Sequence, residues 1–381
     1  MLVTRSTLEA MAEAFGKATC PEEVFGGLAG SSHEKLATLK VQVRNLTRSC
    51  HPDNALSQDK NLATDVFQSL STWEGIARQK IESGTYGDRK SVGAAAPPYT
   101  PVEFKVRGKT LTLTSLIAEG VFASVHQAEY DNDAEHSIFV KYTRDVSDND
   151  LLEREFSVLK SFHLPEADPD AEAFFARQRA YVPYPISSFS ILDEIKTKHR
   201  ANLLRVPKGP CYTVETLRKE KFPGGIEPRH VWWIFRRLLL TLWMSHLKGY
   251  IHGGVTPDHV LIFPEEHGIV LLDWTCAAKV GEEYVPAINP EYQEYYPPEL
   301  LRKEVAAPSA DIFMAASTAL YMLGSNPATL RIPDTVSEGL KRALLSCLAP
   351  VARRRPQDAE IFHNEFGNLL GKRTYSHMVI P

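Results

Sequence analysis

The chain lacks a long uncharged apolar run. Its most apolar stretch, VWWIFRRLLLTLWM, is interrupted by two arginines and is shorter than the ~20 residues that a membrane-spanning helix needs. The opening segment MLVTRSTLEAMAEAF carries charges early and has no apolar centre, so we expect no signal peptide. The sequence therefore predicts a cytoplasmic protein without a membrane partner.

Cysteine and excess charge are both scarce. The five cysteines are scattered and form no CxxC pair, which disfavours a zinc ribbon or a disulfide framework and is typical of reduced intracellular thiols. The net charge of −4 is small for 381 residues. A strong basic excess is the usual mark of a bulk nucleic-acid binder, so we expect no nucleic-acid partner.

The chain contains three segments of different character. Residues 1–83 carry apolar residues at three- and four-residue spacing, which predicts helices. Residues 84–101 are rich in Gly, Ala and Pro without a period, which predicts a flexible linker. From residue 102, FKVRGKTLTLTSLIAEG, VFASVHQAEY and SIFVKYT alternate and predict antiparallel strands. Helical patterns dominate after Asp150, apart from HVLIF and IVLLDW, which predict a hairpin; strands followed by helices indicate an α+β fold.

A basic helix followed by His-Pro-Asp marks the first segment. The basic residues recur every four positions and share one helical face: Lys40, Arg44 and Arg48. The next loop contains His51, Pro52 and Asp53, and a second amphipathic helix follows. This order resembles the J domain, the co-chaperone module that stimulates ATP hydrolysis by seventy-kilodalton heat-shock chaperones, over roughly residues 22–83.

The resemblance implies that the tripeptide engages the chaperone while the basic face supplies complementary charge, which mainly steers association. The alternative is a helical hairpin with a coincidental tripeptide and a merely solvated basic face. The chain has no glycine/phenylalanine region and no cysteine-rich zinc segment, which argues against a general co-chaperone. Such folds are also reused as docking modules.

The second segment contains, in chain order, the parts that phosphoryl transfer needs. LIAEGVFASVHQA aligns with a glycine-rich loop, GxGxxGxV, and keeps Gly120. IFVKYT places Lys141 in an apolar strand, and LLEREFSVLKSF offers a helix in which Glu155 pairs with that lysine, with Glu153 as the fallback. Taken singly, these are also compatible with an ordinary hairpin, an edge-strand lysine and a solvated glutamate.

The loop IHGGVTPDHVLI aligns without gaps on the protein-kinase pattern xHRDxxxxNxxx. His252 is retained, while Gly253 and Gly254 replace the arginine and the catalytic aspartate, and His259 replaces the metal-binding asparagine. VLLDWTC resembles the family's DFG segment and keeps Asp273. Three later motifs resemble structural residues of the family: Glu299 in YYPPEL, Asp311 at the start of DIFMAASTALYM, and Arg355 before a proline.

The ordered motifs resemble the protein-kinase superfamily, and the HGxVxP loop resembles bacterial-type members. The resemblance implies a small β-rich lobe over residues 102–208 and a large helical lobe over 209–381. It implies that Gly120, Lys141, Glu155 and Asp273 could hold ATP, with Asp273 as a magnesium ligand. Glycine at 254 cannot accept the substrate proton, and a histidine at 259 is a poor magnesium ligand, so one metal site is lost.

Two details bear on activity. Asp258 is on the same loop, four positions after Gly254, so its side chain is expected to point elsewhere. Between Asp273 and Glu299 the only serine or threonine is Thr275, which argues against activation by Ser/Thr phosphorylation. Four tyrosines remain in that stretch: Tyr284, Tyr292, Tyr295 and Tyr296.

Three hypotheses follow. The first is a pseudokinase scaffold or switch, linked to a chaperone-recruiting J-like module. The second is an active atypical serine/threonine phosphotransferase in which Asp258 or Asp273 assists positioning. The third is a J-domain co-chaperone whose kinase-like part selects an unknown protein client.

Overall fold

The computed structural model describes residues 4–18, 20–50, 55–87, 102–131, 133–192, 197–372 and 377–381. The protein is mixed α+β and divides into two compact units, Met1–Pro98 and Tyr99–Pro381. Among the described residues, no helix is both long and apolar enough to cross a membrane.

The N-terminal unit is helical. Its helices are α1 (Arg5–Lys17), α2 (Pro21–Phe25), α3 (Ser32–Cys50) and α4 (Lys60–Glu82). The hydroxyl of Ser32 donates to the Ile81 carbonyl at 3.3 Å, so the start of α3 meets the last turn of α4 and the two helices are antiparallel. The amphipathic spacing read from the sequence turns Leu39 and Leu70 into the shared core.

Residues 84–87, part of the predicted linker, belong to this unit. Tyr86 is buried and its hydroxyl donates to the Gly26 carbonyl at 2.8 Å. The amide of Gly87 donates to Glu22 at 2.9 Å. Composition alone suggested a linker here. The prediction was wrong for these four residues because the Tyr86 side chain packs into the core of the N-terminal unit. Residues 88–101 lie outside the described residues.

The C-terminal unit begins with a six-stranded antiparallel sheet of order β1-β2-β3-β4-β6-β5. Its strands are β1 (Val102–Val106), β2 (Lys109–Glu119), β3 (Ala123–Tyr130), β4 (His136–Thr143), β5 (Tyr184–Leu192) and β6 (Lys198–Pro207). Helices α5 (Asn149–Phe162) and α6 (Pro169–Gln178) connect β4 to β5. The sequence predicts β1 to β4. It was wrong for β5 and β6, because the centre of β6 is buried on both faces and shows no alternation.

The remaining strands are β7 (Tyr212–Thr213), β8 (Tyr250–Ile251), β9 (Val260–Phe263), β10 (Gly268–Leu271) and β11 (Ala278–Lys279). Strands β9 and β10 form the predicted hairpin, which extends to β7, while β8 pairs with β11. The helices are α7 (Val214–Thr216), α8 (Pro228–Leu247), α9 (Pro298–Leu301), α10 (Pro308–Met322), α11 (Glu338–Cys347) and α12 (Ala359–Leu370). Helix α10 is apolar on nearly every face and is buried in the main core with α8.

Candidate functional site

A buried lysine on β4 is the centre of a charged cluster. The Nζ atom of Lys141 lies 2.9 Å from Glu155 Oε1 on α5 and 2.9 Å from Asp273 Oδ2, which follows β10. Burial lowers the pKa of Lys141, but the two carboxylates raise it by more, so its pKa lies above the ordinary value. The partner is Glu155 and not Glu153, which is exposed and pairs with Arg200.

Glu155 is fixed by a residue that the sequence analysis missed. Asn202 on β6 donates from Nδ2 to Glu155 Oε2 at 3.0 Å and to the Leu152 carbonyl at 2.8 Å. Asn202 lies opposite Lys141 in the β4–β6 register, so both side chains project from the same face of the sheet. The signal was present as a single polar residue within the apolar run ANLL.

Asp273 adopts a left-handed backbone conformation, with φ of 58°. Its Oδ1 accepts the Thr275 amide at 3.3 Å and also the Thr275 hydroxyl. Burial alone would raise the pKa of this carboxyl. Lys141, His259 and Thr275 together outweigh burial and hold its pKa well below the usual range, so Asp273 is a carboxylate with its charge already compensated.

The loop after β8 is held by Asp311, as the resemblance implies. Its carboxylate accepts the amides of His252 and Gly253 at 2.7 and 2.9 Å, and His246 Nε2 lies 3.0 Å away. His252 donates from Nε2 to the Leu272 carbonyl and accepts the Gly254 amide at Nδ1. Burial lowers the pKa of His252 to about 4, so this histidine is neutral and orients the loop.

The two adjacent glycines of this loop differ in what they permit. Gly253 has φ of +70°, and a Cβ there would approach the Cys276 carbonyl oxygen and a Val285 methyl to 2.8 Å. At Gly254 the nearest atoms to a Cβ, on His252 and His259, lie at 3.7 Å. The backbone therefore requires glycine at 253, whereas glycine at 254 leaves room that a side chain could fill.

Asp258 lies against the imidazole of His259. Its Oδ2 lies 3.5 Å from His259 Nε2, and the same ring nitrogen lies 3.5 Å from Asp273 Oδ2. Asp258 Oδ1 accepts the Thr256 hydroxyl at 2.5 Å. Sequence spacing did not anticipate that the intervening turn brings both carboxylates to one imidazole.

His259 lies between the two carboxylates in this arrangement. Its Nδ1 donates to the Gly254 carbonyl at 2.8 Å, which leaves Nε2 directed at the two carboxylates. Burial lowers the pKa of His259, but Asp258 and Asp273 raise it by more, so its pKa lies above the ordinary value.

The residues around Asp273 do not fit the magnesium ion that the resemblance implies. Lys141 and His259 already compensate the Asp273 carboxylate. Within the described ranges, no group of three or more His, Cys, Asp or Glu side chains is arranged to hold a metal ion. Magnesium needs oxygen ligands in near-octahedral geometry, and here ammonium and imidazole groups take the positions around the one candidate carboxylate.

Gly120 lies at the tip of the β2–β3 hairpin. Its amide donates to the Ala123 carbonyl at 2.9 Å, and its carbonyl accepts Arg144 Nη1 at 3.1 Å. Ile117 and Val121, beside it, are exposed. The hairpin therefore has the predicted position, and the backbone amide of Gly120 already has a hydrogen-bond acceptor within the hairpin.

Arg154 on α5 contacts the chain that follows Asp273. The sequence analysis did not single out this arginine. Its Nη1 donates to the Ala277 carbonyl at 3.1 Å and to Glu283 Oε2 at 2.6 Å. In that stretch Tyr284 is exposed, whereas its other three tyrosines are buried: Tyr292, Tyr295 and Tyr296. Phosphorylation of the folded chain there is consequently restricted to Tyr284.

The remaining predicted residues have structural positions. Arg355 and Glu299 form a buried two-point ion pair, with Nη2 and Oε2 3.0 Å apart. In the N-terminal unit, Lys40 and Arg44 are exposed on α3, and Arg48 lies in the last turns of the same helix. The predicted chaperone-binding tripeptide, His51, Pro52 and Asp53, lies outside the described residues.

No protein-family model matches the sequence, and no curated protein matches it. Functional interpretation of the two units therefore depends on the contacts described above.

Proposed function

We propose that residues 102–381 form a two-lobed protein-kinase-like domain that has lost efficient phosphoryl transfer and acts as a scaffold or switch. The β-rich lobe would span 102–208 and the helical lobe 209–381. Support comes from the antiparallel sheet that carries Lys141, from the helix that pairs Glu155 with it, and from a loop held by Asp311.

One observation carries the proposal. The charged cluster of Lys141, Glu155 and Asp273 is assembled around a buried lysine, yet residue 254 on the adjacent loop has no side chain. Phosphoryl transfer depends on positioning and on a group that orients the acceptor hydroxyl and takes its proton. A retained scaffold without that group fits a protein that uses the fold for binding other proteins.

The test is incubation of the full chain with γ-labelled ATP and magnesium, with Asp273→Asn as the matched control. We expect no label on the chain or on a generic protein acceptor above the level of the control. Label that appears with the natural chain and disappears with Asp273→Asn would overturn the proposal.

A second candidate, an active atypical serine/threonine kinase, is favoured by the position of Asp258. Its carboxylate faces the same imidazole as Asp273, so a second carboxylate is close to the cluster. Asp258→Asn separates the candidates, because it removes labelling by an active enzyme and changes nothing in an inactive scaffold.

We propose that the N-terminal unit is a J-like docking module that recruits a seventy-kilodalton heat-shock chaperone. The antiparallel helices α3 and α4, with exposed Lys40 and Arg44 on α3, support this. Stimulation of the chaperone's ATPase by the full chain, lost on His51→Gln, is the expected result. If stimulation also depends on one bound client, the third hypothesis, a client-selecting co-chaperone, replaces the scaffold.

A further inference from the structure

An apolar group lies next to Lys141, between the large sheet and the β9–β10 hairpin. Its buried members are Val206 on β6, Leu261 and Phe263 on β9, and Val270 on β10, with Phe139 on β4 and Leu272 after β10 packed against them. We call these six residues the apolar clasp. The clasp joins the large sheet to the β9–β10 hairpin, so it closes the space between the two sheets.

The apolar clasp and the charged cluster are neighbours along two chain segments. Phe139 and Lys141 are two residues apart on β4, and alternate residues of a strand project from the same face. Leu272 directly precedes Asp273. A ligand with a phosphate on Lys141 and a planar base beside it would therefore need the volume that the Phe139 ring and its partners occupy.

The ammonium group of Lys141 is already paired with protein carboxylates. Both counter-charges of Lys141 come from the protein, each at 2.9 Å, so a phosphate would have to displace Asp273. The structure has a cavity of about 260 Å³ at the outer face of α5, lined by residues that include Arg154, Tyr250 and Lys279. Lys141 and Phe139 do not line that cavity, and it is small beside the roughly 300–1,000 Å³ of typical ligand sites.

We propose that the apolar clasp excludes nucleotide from this cleft and that Phe139 is the residue responsible. This inference rests on the proposed kinase-like function and sharpens it: the switch or scaffold works without ATP. The ATP and magnesium that the resemblance implies are then not cofactors of the natural chain. Replacing the ring with a small side chain frees the space next to Lys141 without altering any member of the charged cluster.

The experiment is isothermal titration of the full chain with ATP, adenosine and tripolyphosphate. We expect no binding of any of the three to the natural chain tighter than about 1 mM. Phe139→Ala is expected to bind ATP and adenosine at about 100 µM or tighter, at least a tenfold gain. Phe139→Val serves the same purpose if the alanine variant does not fold, because valine is favoured in strands.

The matched control is Phe189→Ala. Phe189 is another half-buried phenylalanine of the same sheet, but it packs against a different cluster. Three results would each overturn the proposal. The natural chain could bind ATP, a folded Phe139 variant could bind neither ATP nor adenosine, or Phe189→Ala could show the same increase in affinity as Phe139→Ala. None of these results involves phosphate transfer, so the labelling assay judges the proposed function separately.

Discussion

The two units place their charges differently. In the C-terminal unit, Lys141 with Glu155 and Arg355 with Glu299 are buried pairs. In the N-terminal unit, most described ion pairs join neighbouring turns of one helix at the surface, such as Arg5 with Glu9 and Lys17 with Glu13, whose side chains are more than half exposed.

The difference separates two uses of charge. A buried pair contributes little net stability, but removal of one partner strands the other in a low-dielectric interior. An exposed pair contributes little net stability, and removal of one of its partners costs little. Its charges stay accessible to a binding partner. Substitution of a buried charge in the C-terminal unit should therefore lower the free energy of unfolding, whereas substitution of an exposed charge in the N-terminal unit should mainly change its binding properties.

The largest effect is expected from Arg355→Leu. It leaves the buried Glu299 carboxylate without its partner and should lower the free energy of unfolding by about 3–5 kcal/mol. Urea unfolding followed by tryptophan fluorescence measures this. Arg353→Leu, at an exposed position nearby, should stay within about 0.5 kcal/mol. Equal effects of the two variants would remove the contrast between buried and exposed charges.

Next in size is Gly253→Ala. A left-handed alanine costs about 1–2 kcal/mol, and the contact with the Cys276 carbonyl adds to it, so we expect a loss of about 2 kcal/mol or more. Gly254→Ala is the control and should change the free energy of unfolding by less than about 0.5 kcal/mol. A costly Gly254→Ala would show that this loop tolerates no side chain at either position.

A smaller, pH-dependent effect is expected from Glu22→Gln. Glu22 is partly buried, unlike the exposed pairs Arg5–Glu9 and Lys17–Glu13 of the same unit. Burial raises the pKa of Glu22, but the Gly87 amide and the Lys80 ammonium outweigh it and hold the pKa at about 2. Because the folded pKa lies below the unfolded value, the carboxylate stabilises the fold at neutral pH, and this contribution is lost as the pH falls from about 4.5 through 2.

We expect a difference of about 1 kcal/mol or less at pH 7, since solvent screens a pair at the edge of the unit. The difference between the natural chain and Glu22→Gln should shrink towards pH 2 in thermal unfolding. A difference that is constant with pH would assign the effect to packing and not to charge.

The smallest effect on stability is expected from Lys40→Ala and Arg44→Ala. Both side chains are exposed on α3, so the free energy of unfolding should change by less than about 0.5 kcal/mol. Association with the seventy-kilodalton chaperone proposed as the partner should nevertheless slow, most clearly at low salt, because exposed charges act on encounter rates. Stopped-flow measurements at two ionic strengths test this. Unchanged association rates would make the basic face merely a solvated surface.

Local periodicity predicted helices α1, α3 and α4 of the N-terminal unit, the stretch that contains β1 and β2, strands β3 and β4, and the β9–β10 hairpin, but not the short helix α2. The order of motifs led to the pairs Lys141–Glu155 and Glu299–Arg355 and to the contact of Asp311 with the loop, because these residues lie in well-separated motifs with fixed geometry. Strands β5 and β6 were missed because neither shows a clear alternation. The contacts of Asn202 and Arg154, the orientation of Asp258 and the packing of Phe139 depend on segments that are distant in sequence, and no local pattern encodes them.

The pair of glycines at 253 and 254 constrains how this loop could change by mutation. Every glycine codon is one base from an arginine codon and, for half of the set, one base from an aspartate codon. Single-base changes to a residue with a side chain are thus available at 253 and 254 alike, but an added Cβ fits without displacing a neighbour only at 254, because the Cys276 carbonyl and Val285 block 253. A side chain at 253 therefore requires a prior shift of Cys276 or Val285, whereas a methyl group at 254 requires none.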